Sequence, residues 1–562
     1  MKKKIYIFII SLILISCEFL DKPPGVDVTE DTVFSSKEQV EYFVAGTYYY
    51  GLLSDVYGWW DGRETSDIQN AAYCDEAEIS APWFAAHRIW NNAGMSASDR
   101  SSDTTFDTYW IGLRRANILI EKIEDAPFDD SEYKKQVMAE AKFIRAYIHF
   151  TIFKRYGGAP LIKERFLPSD DSRVSRSTVE ETVNFILKDC EDALVLPSVY
   201  PTSMRGRITK SAVLALKSRT LLYAASKTFN TDNPYIDYGE YNELICYNNK
   251  DKERWKLAAD AAKEVLNECP HGGFKLITDL GPDANYQYVW EMADNEEIIL
   301  AEKSKPERYQ GHFPWGYFFP GDGLFVTWNF MRFYETKFGT EPSWNIEGGE
   351  NLMDIYENMD PRFKQTFAYH GQPWNVDYPK LDLTMTGANR PIGKGCHSAY
   401  VHKTVPYSVA DGTSSNGLPN AIIFRVGEFY LNYAEALNEY YSSPPEDAYE
   451  AIDAIRIRSG MPPTPRGLSQ EQFREKVRRE RAVELSYEGH RLYDIRRWEI
   501  AEEEGVMRGD MYGIKQFKIS DSNEIRYEPY VFEKRSFKVA MYRHPFPQNE
   551  INKGYLIQNP GY

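Results

Sequence analysis

The chain has 562 residues, with 66 Lys and Arg against 83 Asp and Glu, and a formal net charge of −17. Affinity for phosphate backbones comes mainly from Lys and Arg, so this excess of acid argues against a nucleic-acid-binding protein. Hydrophobic residues make up 43% and charged residues 27%, which is typical of a globular protein rather than a disordered one. A single core stops growing at roughly 250–300 residues, so we expect two lobes or one lobe of repeated units.

The N-terminus has the pattern of a secretion signal that ends in a lipidation site. Three lysines follow Met1, and an almost purely apolar run extends from Ile5 to Ile15. A membrane-spanning helix needs about 20 such residues, so the shorter run predicts a signal peptide over residues 1–16. The run ends in Leu-Ile-Ser-Cys, the pattern of a bacterial lipobox with Cys17 as the acylated residue; the alternative is a chance cysteine. We therefore expect residues 17–35 to be a lipidated tether that anchors the protein to a membrane.

The remaining cysteines and histidines predict neither a disulfide scaffold nor a metal site. Five widely spaced cysteines are left, without a C-x-x-C motif, so one bridge is possible but the sequence cannot assign it. Cys396, His397 and His402 are close in sequence, yet no fourth ligand has a suitable spacing. The sequence also lacks H-E-x-x-H, Walker A, G-x-S-x-G and EF-hand motifs. We therefore expect no metal and no cofactor.

Helical periodicity and capping signals predict a mostly helical chain. Candidate capping boxes pair Ser36 with Gln39, Ser177 with Glu180 and Ser469 with Gln472. The clearest amphipathic helix contains Ala139 to Phe153 and stops at Gly157. Further helices are predicted at 36–53, 106–124, 177–196, 209–226, 254–267, 426–440, 447–458 and 469–487. They come in pairs at intervals of a few tens of residues, which indicates a tetratricopeptide-like stack.

The fold class that follows is mostly α, with a tetratricopeptide-like lobe of helix pairs and a loop-rich subdomain that contains short strands. The N-terminal helical lobe is expected at 36–271 and includes a variable, irregular loop at 54–104. Residues 272–420 are rich in Gly, Pro, Asn and aromatic residues, and are too long for one structureless loop. We expect them to form the loop-rich subdomain, and residues 421–562 to form a further, C-terminal region.

Six segments, in order and nearly from end to end, resemble the SusD/RagB family of outer-membrane lipoproteins of Bacteroidetes. They are CEFLDKPPG at 17–25, AEAKFIRAYIHFTIFKRYGGAPLI at 139–162, RITKSAVLALKSRTLLYAAS at 207–226, FRVGEFYLNYAEALNE at 424–439, RRERAVELSYEGHRLYDIRRW at 478–498 and HPFPQNEINKGYLIQNPGY at 544–562. The resemblance implies a lipid-anchored, glycan-binding protein of the outer membrane that faces the cell exterior. It also implies a TonB-dependent, SusC-like transporter as partner, which receives the oligosaccharide or polysaccharide, and it implies no catalysis.

Charged residues are most frequent in the fifth of these segments and in the few residues just before it. Between Arg474 and Glu484, eight of eleven residues are ionic. The apolar positions Phe473, Val477, Ala482 and Leu485 do not share one stripe, so some of the charge must face protein and needs partners there. We expect a structural helix whose Arg and Glu side chains brace its neighbours, rather than a partner-binding patch, and a structural role for His490.

Candidate ligand-binding residues lie in the two variable regions. Sugar recognition combines an aromatic plane for the C–H face of a pyranose with planar side chains that bond its hydroxyl groups. The first region places Trp83, Arg88, Trp90 and Asn91 within eleven residues, from position 82 to 92. The second region offers loop tryptophans, of which we select Trp315 and Trp344. These six residues are the predicted ligand contacts.

Two other classes of function stay open at this point. A glycoside hydrolase would need two facing carboxylates, and the acidic run from Asp75 to Glu78 offers candidates. We interpret that run as a solvated or hydrogen-bonded loop cluster instead. A protein–protein adaptor would keep its aromatic residues on the concave face of the helical lobe, whereas here they fall in loops.

Overall fold

The computed structural model describes residues 29–52, 67–79, 86–99, 102–292, 294–302, 324–390, 397–404, 407, 421–520 and 522–562. The predicted signal peptide and Cys17 lie outside these ranges. Within them, no helix is both long enough and apolar enough to cross a lipid bilayer.

The described chain is mostly helical, as the sequence predicts. Its α-helices are α1 Glu30–Val33, α2 Lys37–Gly51, α3 Asp67–Ala72, α4 Phe106–Lys122, α5 Ser131–Tyr156, α6 Val179–Ala193, α7 Lys210–Ala225, α8 Glu253–Glu268, α9 Asn285–Glu291, α10 Trp328–Met331, α11 Leu352–Glu357, α12 Pro361–Thr366, α13 Val426–Tyr440, α14 Glu446–Arg458, α15 Gln470–Glu484, α16 Arg491–Arg497 and α17 Gln548–Ile551. A π-helical turn spans Ala86–Trp90, and 3₁₀ turns span Thr202–Met204, Gly239–Leu244 and Val539–Tyr542.

In the described ranges, eight strands form three small sheets. They are β1 Ala77–Ile79, β2 Ile298–Glu302, β3 Leu324–Val326, β4 Phe367–Ala368, β5 Tyr400–Val401, β6 Ala421–Arg425, β7 Gly509–Lys518 and β8 Ile525–Arg535. An antiparallel sheet has the order β1-β3-β5-β4, β2 pairs with β6, and β7 and β8 form a two-stranded antiparallel ribbon. The described parts of 272–420 contain short strands and short helices separated by turns and irregular chain.

Helix starts agree with the capping signals at two of three predicted boxes. Ser36 Oγ accepts from the Gln39 N–H at 3.3 Å, and Ser469 Oγ accepts from the Gln472 N–H at 3.2 Å. The third prediction is one residue early, because α6 is capped by Thr178 rather than by Ser177. Thr178 Oγ1 accepts from the Glu181 N–H at 3.1 Å, and the Thr178 N–H donates to Glu181 Oε2 at 2.9 Å.

Successive helices pack on one another around a large hydrophobic cluster, and a smaller second cluster lies between α2, the end of α4 and the start of α5. Helix α4 packs on α2 and α5, α5 on α6, α7 on α8, and α8 on α13, which also contacts α14 and α15. Helix α5 stops where Gly157 adopts a φ of 84°. At Gly158 a Cβ atom would lie 2.1 Å from the Ser177 carbonyl oxygen, so only glycine fits this close approach.

The charged segment that includes α15 is structural, as predicted. Arg481 donates to Asp494 at 2.7 Å, Arg362 donates to Glu480 at 2.6 Å, and all four side chains are buried. Arg425, Arg458 and Arg362 surround the buried carboxylate of Glu484. Such pairs are costly to desolvate, and removing one partner strands the other charge in the core. His490 is buried beside Arg481, which lies 3.4 Å from its Nδ1, in agreement with a structural role.

The described cysteines are free thiols. Cys74, Cys190, Cys246 and Cys269 are all buried and none is bridged. Burial raises the pKa of the Cys269 thiol to about 12, which makes its thiolate scarce at neutral pH. Cys396 lies outside the described residues.

Candidate functional site

Strand β8 contacts parts of both variable regions through its backbone. Near its start, the Tyr527 N–H donates to the Gly349 carbonyl oxygen at 2.8 Å, and the Gly349 N–H donates back to the Tyr527 carbonyl oxygen at 3.1 Å. Just beyond its end, the Ser536 N–H donates to the Asn91 carbonyl oxygen at 2.8 Å. At about 3.3 Å per residue, these two attachments lie roughly 30 Å apart along the strand.

A group of polar side chains lies where β8 meets β1. We call it the acid–histidine cluster, and it consists of Glu78, His87, Asn91, Glu533 and Arg535. Arg535 donates to Glu78 Oε2 and to Glu533 Oε2, each at 2.8 Å. Asn91 Nδ2 lies 3.4 Å and 3.3 Å from the same two oxygens. On the other side, His87 Nε2 is 3.1 Å from Glu78 Oε1, and His87 Nδ1 is 3.5 Å from Glu533 Oε1.

The local backbone explains how these residues come together. Strand β1 pairs with β3, opposite Phe325 at Glu78, and all three of its residues are buried. His87 lies on the π-helical turn, and such turns occur often at functional sites. A buried glutamate on a short strand is tolerated here because the Arg535 guanidinium reaches it from β8.

The pKa values of the two carboxylates in the cluster are shifted in opposite directions. Burial and the neighbouring Glu533 carboxylate raise the pKa of Glu78 well above its ordinary value, and Arg535 acts in the opposite direction. Burial also opposes ionisation of Glu533, but the Arg535 charge outweighs it and lowers the pKa of that group. One guanidinium compensates one carboxylate, so the second carboxylate needs a proton or a further cation.

This arrangement does not match a glycosidase pair. Such enzymes place two carboxyl groups about 5 Å or more apart, on either side of the scissile bond. Glu78 and Glu533 instead accept hydrogen bonds from one and the same guanidinium, that of Arg535. Asp75 and Glu76 are also engaged: Asp75 accepts from Arg491 at 2.8 Å, and Glu76 Oε1 accepts from the Tyr487 N–H at 2.9 Å. The interpretation of this run as hydrogen-bonded is confirmed, although its acids are buried rather than solvated.

Trp90 lies in the core. Its ring stacks on Tyr73 at 4.5 Å between centroids, meets His544 edge-on at 5.3 Å, and lies 5.5 Å from the Arg496 guanidinium carbon. Only 3% of the residue is exposed. A sugar can stack only on an open ring face. The structure therefore corrects the prediction that Trp90 contacts the ligand, because this side chain packs in the core and supports the fold.

Asn91 and Arg88 differ in exposure although they are near neighbours in sequence. Asn91 is 1% exposed, and its side chain belongs to the acid–histidine cluster, so it too is a supporting residue in this structure. The Arg88 side chain is 53% exposed and pairs with Asp99 at 2.5 Å. Of these two predicted contacts, only Arg88 presents polar hydrogens to solvent.

Trp344 is half-buried in a group of aromatic rings. It meets Trp328 at 5.7 Å, Tyr527 at 5.8 Å and Tyr356 at 6.2 Å, each close to edge-on. The contact with Tyr527 attaches it to the start of β8. Arg88 itself pairs with Asp99, and only its neighbours His87 and Asn91 contact the far end of β8.

The other predicted residues lie outside the described chain. Trp83 and Trp315 are the two remaining predicted ligand contacts, and Cys17 is the predicted lipidation site. Cys396, considered above as a metal ligand, lies outside as well. Of the described residues, only Glu78, His87 and Glu533 bring three possible metal-ligand atoms within 4.8 Å of one another.

A groove of about 1040 Å³ lies elsewhere, between α2, the start of α5 and residues 195–207. Its aromatic residues are Tyr48 and Tyr133. The Tyr48 hydroxyl oxygen accepts from the Ile208 N–H at 3.1 Å, and the Lys37 ammonium covers the Tyr133 ring at 4.3 Å. Tyr133 is buried beneath Lys37, so its ring is not open to a sugar.

Sequence reasoning missed His87, Glu533 and Arg535. His87 lies inside the segment that was selected for its tryptophans, but a lone histidine carries no local signal. Glu533 and Arg535 follow Asn91 by more than 400 positions, so only the fold could place them beside it.

Comparison with known proteins gives a consistent result. The profile described as "SusD family" matches residues 297–562, and the profile described as "Starch-binding associating with outer membrane" matches residues 18–222. SusD-like protein P25 of Formosa agariphila is 25% identical over 528 residues, which cover 88% of this chain and 89% of that protein.

Solved structures are similar over almost the whole chain. A SusD-like protein from Bacteroides fragilis is 26% identical, covers 96% of this chain and all of its own, and superimposes with a TM-score of 0.77. A laminarin-binding SusD-like protein is 23% identical, with 93% of this chain and 98% of its own covered and a TM-score of 0.60. The second similarity, at this identity, concerns the fold alone.

Proposed function

Because the chain belongs to the SusD/RagB family, we propose that it is a glycan-binding lipoprotein of the outer membrane. It captures an oligosaccharide or polysaccharide at the cell surface and delivers it to a TonB-dependent, SusC-like transporter. Cys17 carries the lipid anchor, and the protein catalyses no reaction. The family description supports the starch-type ligand class and the outer-membrane location.

The observation that carries the proposed binding face is the attachment of both variable regions to β8. Arg88 supplies an exposed guanidinium near the end of this strand, and Trp344 supplies an aromatic ring near its start. Guanidinium groups donate to sugar hydroxyl groups in a fixed plane, and indole rings cover the C–H face of a pyranose. Trp83 and Trp315 stay in the proposal as loop contacts, whereas Trp90 and Asn91 are buried residues that support the binding face.

Affinity electrophoresis tests the function with the purified protein in gels that contain different polysaccharides. The proposal predicts retardation by at least one neutral glucan, such as starch or laminarin, and no release of reducing ends from the retarding polysaccharide. Arg88→Ala should weaken the retardation. Arg173→Ala is the matched control, because its side chain is also exposed and also pairs with a nearby aspartate. Release of reducing ends by the wild-type protein would instead identify a hydrolase.

The groove in the helical lobe favours one second candidate, a protein–protein adaptor. Tetratricopeptide-like stacks bind peptides in such grooves, and this one has charged residues at its rim, among them Lys135 and Arg205. Lys135→Glu separates the two functions. In an adaptor it would abolish co-purification with a partner protein, and the protein would show no polysaccharide retardation at all. In the glycan-binding protein it leaves the retardation unchanged.

A further inference from the structure

We propose that Glu78, His87 and Glu533 form a binding site for one divalent transition-metal cation, for which Zn²⁺ is the probe. Their possible ligand atoms lie within 4.8 Å of one another. One imidazole and two carboxylates are ligands that Zn²⁺ accepts. The three residues come from β1, the π-helical turn and β8, so a bound ion would connect the first variable region to the C-terminal ribbon. The inference does not depend on glycan binding.

Arg535 and Asn91 orient the two carboxylates for metal binding. Each uses its Oε2 atom to accept from Arg535, at 2.8 Å, and each Oε2 also faces Asn91 Nδ2. Each directs its Oε1 atom toward His87 instead. Metal sites are commonly built in this way, with outer residues that hold one carboxylate oxygen while the other binds the ion.

His87 presents the right kind of nitrogen. Its Nε2 lies 2.5 Å from the Ile79 carbonyl oxygen, which can only accept, so Nε2 carries the ring proton. Nδ1 then presents its lone pair, and the nearest carboxylate atom to it is Glu533 Oε1 at 3.5 Å. Metal-binding histidines usually donate their second ring N–H to a backbone carbonyl or carboxylate in this manner.

An unsatisfied atom points to a missing positive partner. Glu78 is fully buried, and its Oε1 has no hydrogen-bond partner among the described residues. A buried polar atom without a partner is costly. A cation between Glu78 Oε1, Glu533 Oε1 and His87 Nδ1 would satisfy three acceptors at once. It would also neutralise the net negative charge that remains when one guanidinium pairs with two carboxylates.

The spacing of the ligand atoms and their access from solvent both suit a bound Zn²⁺ ion. Zn–N and Zn–O bonds of about 2.0–2.2 Å place ligand atoms up to roughly 4 Å apart, so the observed spread needs only a small side-chain adjustment. The His87 and Glu533 side chains are 15% and 18% exposed, whereas Glu78 is closed off. An ion can therefore enter from the solvent side, where water completes its coordination.

Isothermal titration calorimetry of the chelator-treated, purified protein with ZnCl₂ at neutral pH tests the site. We expect one Zn²⁺ per chain, and a loss of affinity of at least about tenfold in Glu533→Gln and in His87→Gln. His271→Gln is the control, because His271 is exposed and lies 4.0 Å from Glu268, a two-residue pair without a third ligand. It should leave the affinity unchanged. No binding to the wild-type protein, or equal binding by Glu533→Gln, overturns the proposal.

A measurement on the unaltered protein covers the case in which a variant fails to fold. X-ray absorption at the zinc edge of the loaded wild-type chain should show only nitrogen and oxygen neighbours, at about 2.0–2.1 Å, with the outer-shell signal of a single imidazole. Sulfur neighbours, or the signal of two or more imidazoles, would place the ion elsewhere and contradict the assignment.

Discussion

Arg491 donates two hydrogen bonds to the carboxylate of Asp75, at 2.8 Å and 2.6 Å, although the two residues are 416 positions apart in the chain. Both side chains are buried. The pair joins the helix α16 segment, which carries one of the family-like motifs, to the interior of the first variable region. The same helical motif thus braces the loops that are proposed to present the ligand-binding face.

Removing one partner of this pair should strongly destabilise the fold. Arg491→Ala leaves the Asp75 carboxylate buried without its cation, and such changes typically cost about 3–5 kcal/mol. Urea unfolding followed by circular dichroism measures the effect. Lys217→Ala removes a partly exposed ion pair with Glu264 and should cost less than about 1 kcal/mol. Equal midpoints for the two variants would show that the buried pair does not brace the loops.

Glu435 should make the protein less stable in acid. The Arg497 charge and its hydrogen bonds, with a further bond from Trp498 Nε1 at 2.8 Å, overcome burial and lower the pKa of Glu435 to about 2. The unfolded value is near 4.3. The folded state therefore binds this proton less readily, and the stabilisation is complete above the unfolded pKa and lost as pH falls toward 2.

The size of this effect follows from the shift. A difference of about two units corresponds to roughly 3 kcal/mol in the free energy of unfolding. Glu435→Gln should therefore lose stability at neutral pH and converge on the wild type near pH 2–3. Glu446→Gln, in an exposed pair with Arg466, is the control and should follow the wild-type pH profile. Parallel profiles for wild type and Glu435→Gln would refute the assignment.

Trp90 should behave as a core residue. Its ring packs between Tyr73, His544 and Arg496, so Trp90→Ala opens a cavity and should cost about 3–5 kcal/mol of stability. Thermal unfolding measures this loss. If the variant melts like the wild type but loses polysaccharide binding, the Trp90 ring contacts the ligand and does not act as a core residue.

Lipidation is expected at Cys17. Cys17→Ala should give an exported protein that is not anchored, because the apolar run before it is too short to span the membrane. Labelling of cells with a radioactive fatty acid, followed by isolation of the protein, decides the point. Label that persists in the variant would mean that another residue carries the lipid or that the anchor is of another kind.

The helices were predictable because their signals are local. Apolar residues at intervals of three and four located α5 and α15, a capping hydroxyl located the start of α15, and a stopping glycine located the end of α5. The start of α5 at Ser131, capped by Asp130, lies before the predicted stretch. The capping error at α6 has a simple cause. Both Ser177 and Thr178 are followed three residues later by a glutamate, so the sequence offers two equivalent boxes and only packing selects Thr178.

The candidate site was less predictable because its contacts are not local. Trp90 lies in an irregular segment without helical periodicity, and the ring that covers its edge belongs to His544. Glu78 and Arg535 pair across 457 positions, so the spacing rules for metal ligands and catalytic acids could not reveal the cluster. Exposure, and not residue type, separates Arg88 and Trp344 from Trp90 and Asn91.

The most direct test of the account is the glycan affinity of Trp344→Ala, measured by affinity electrophoresis in the polysaccharide that retards the wild-type protein. Loss of one aromatic anchor commonly costs about 2 kcal/mol, so we expect roughly thirtyfold weaker binding. Trp255→Ala is the matched control, since Trp255 is likewise partly buried but lies on helix α8. Unchanged affinity in Trp344→Ala, or an equal loss in both variants, would contradict a binding face along β8.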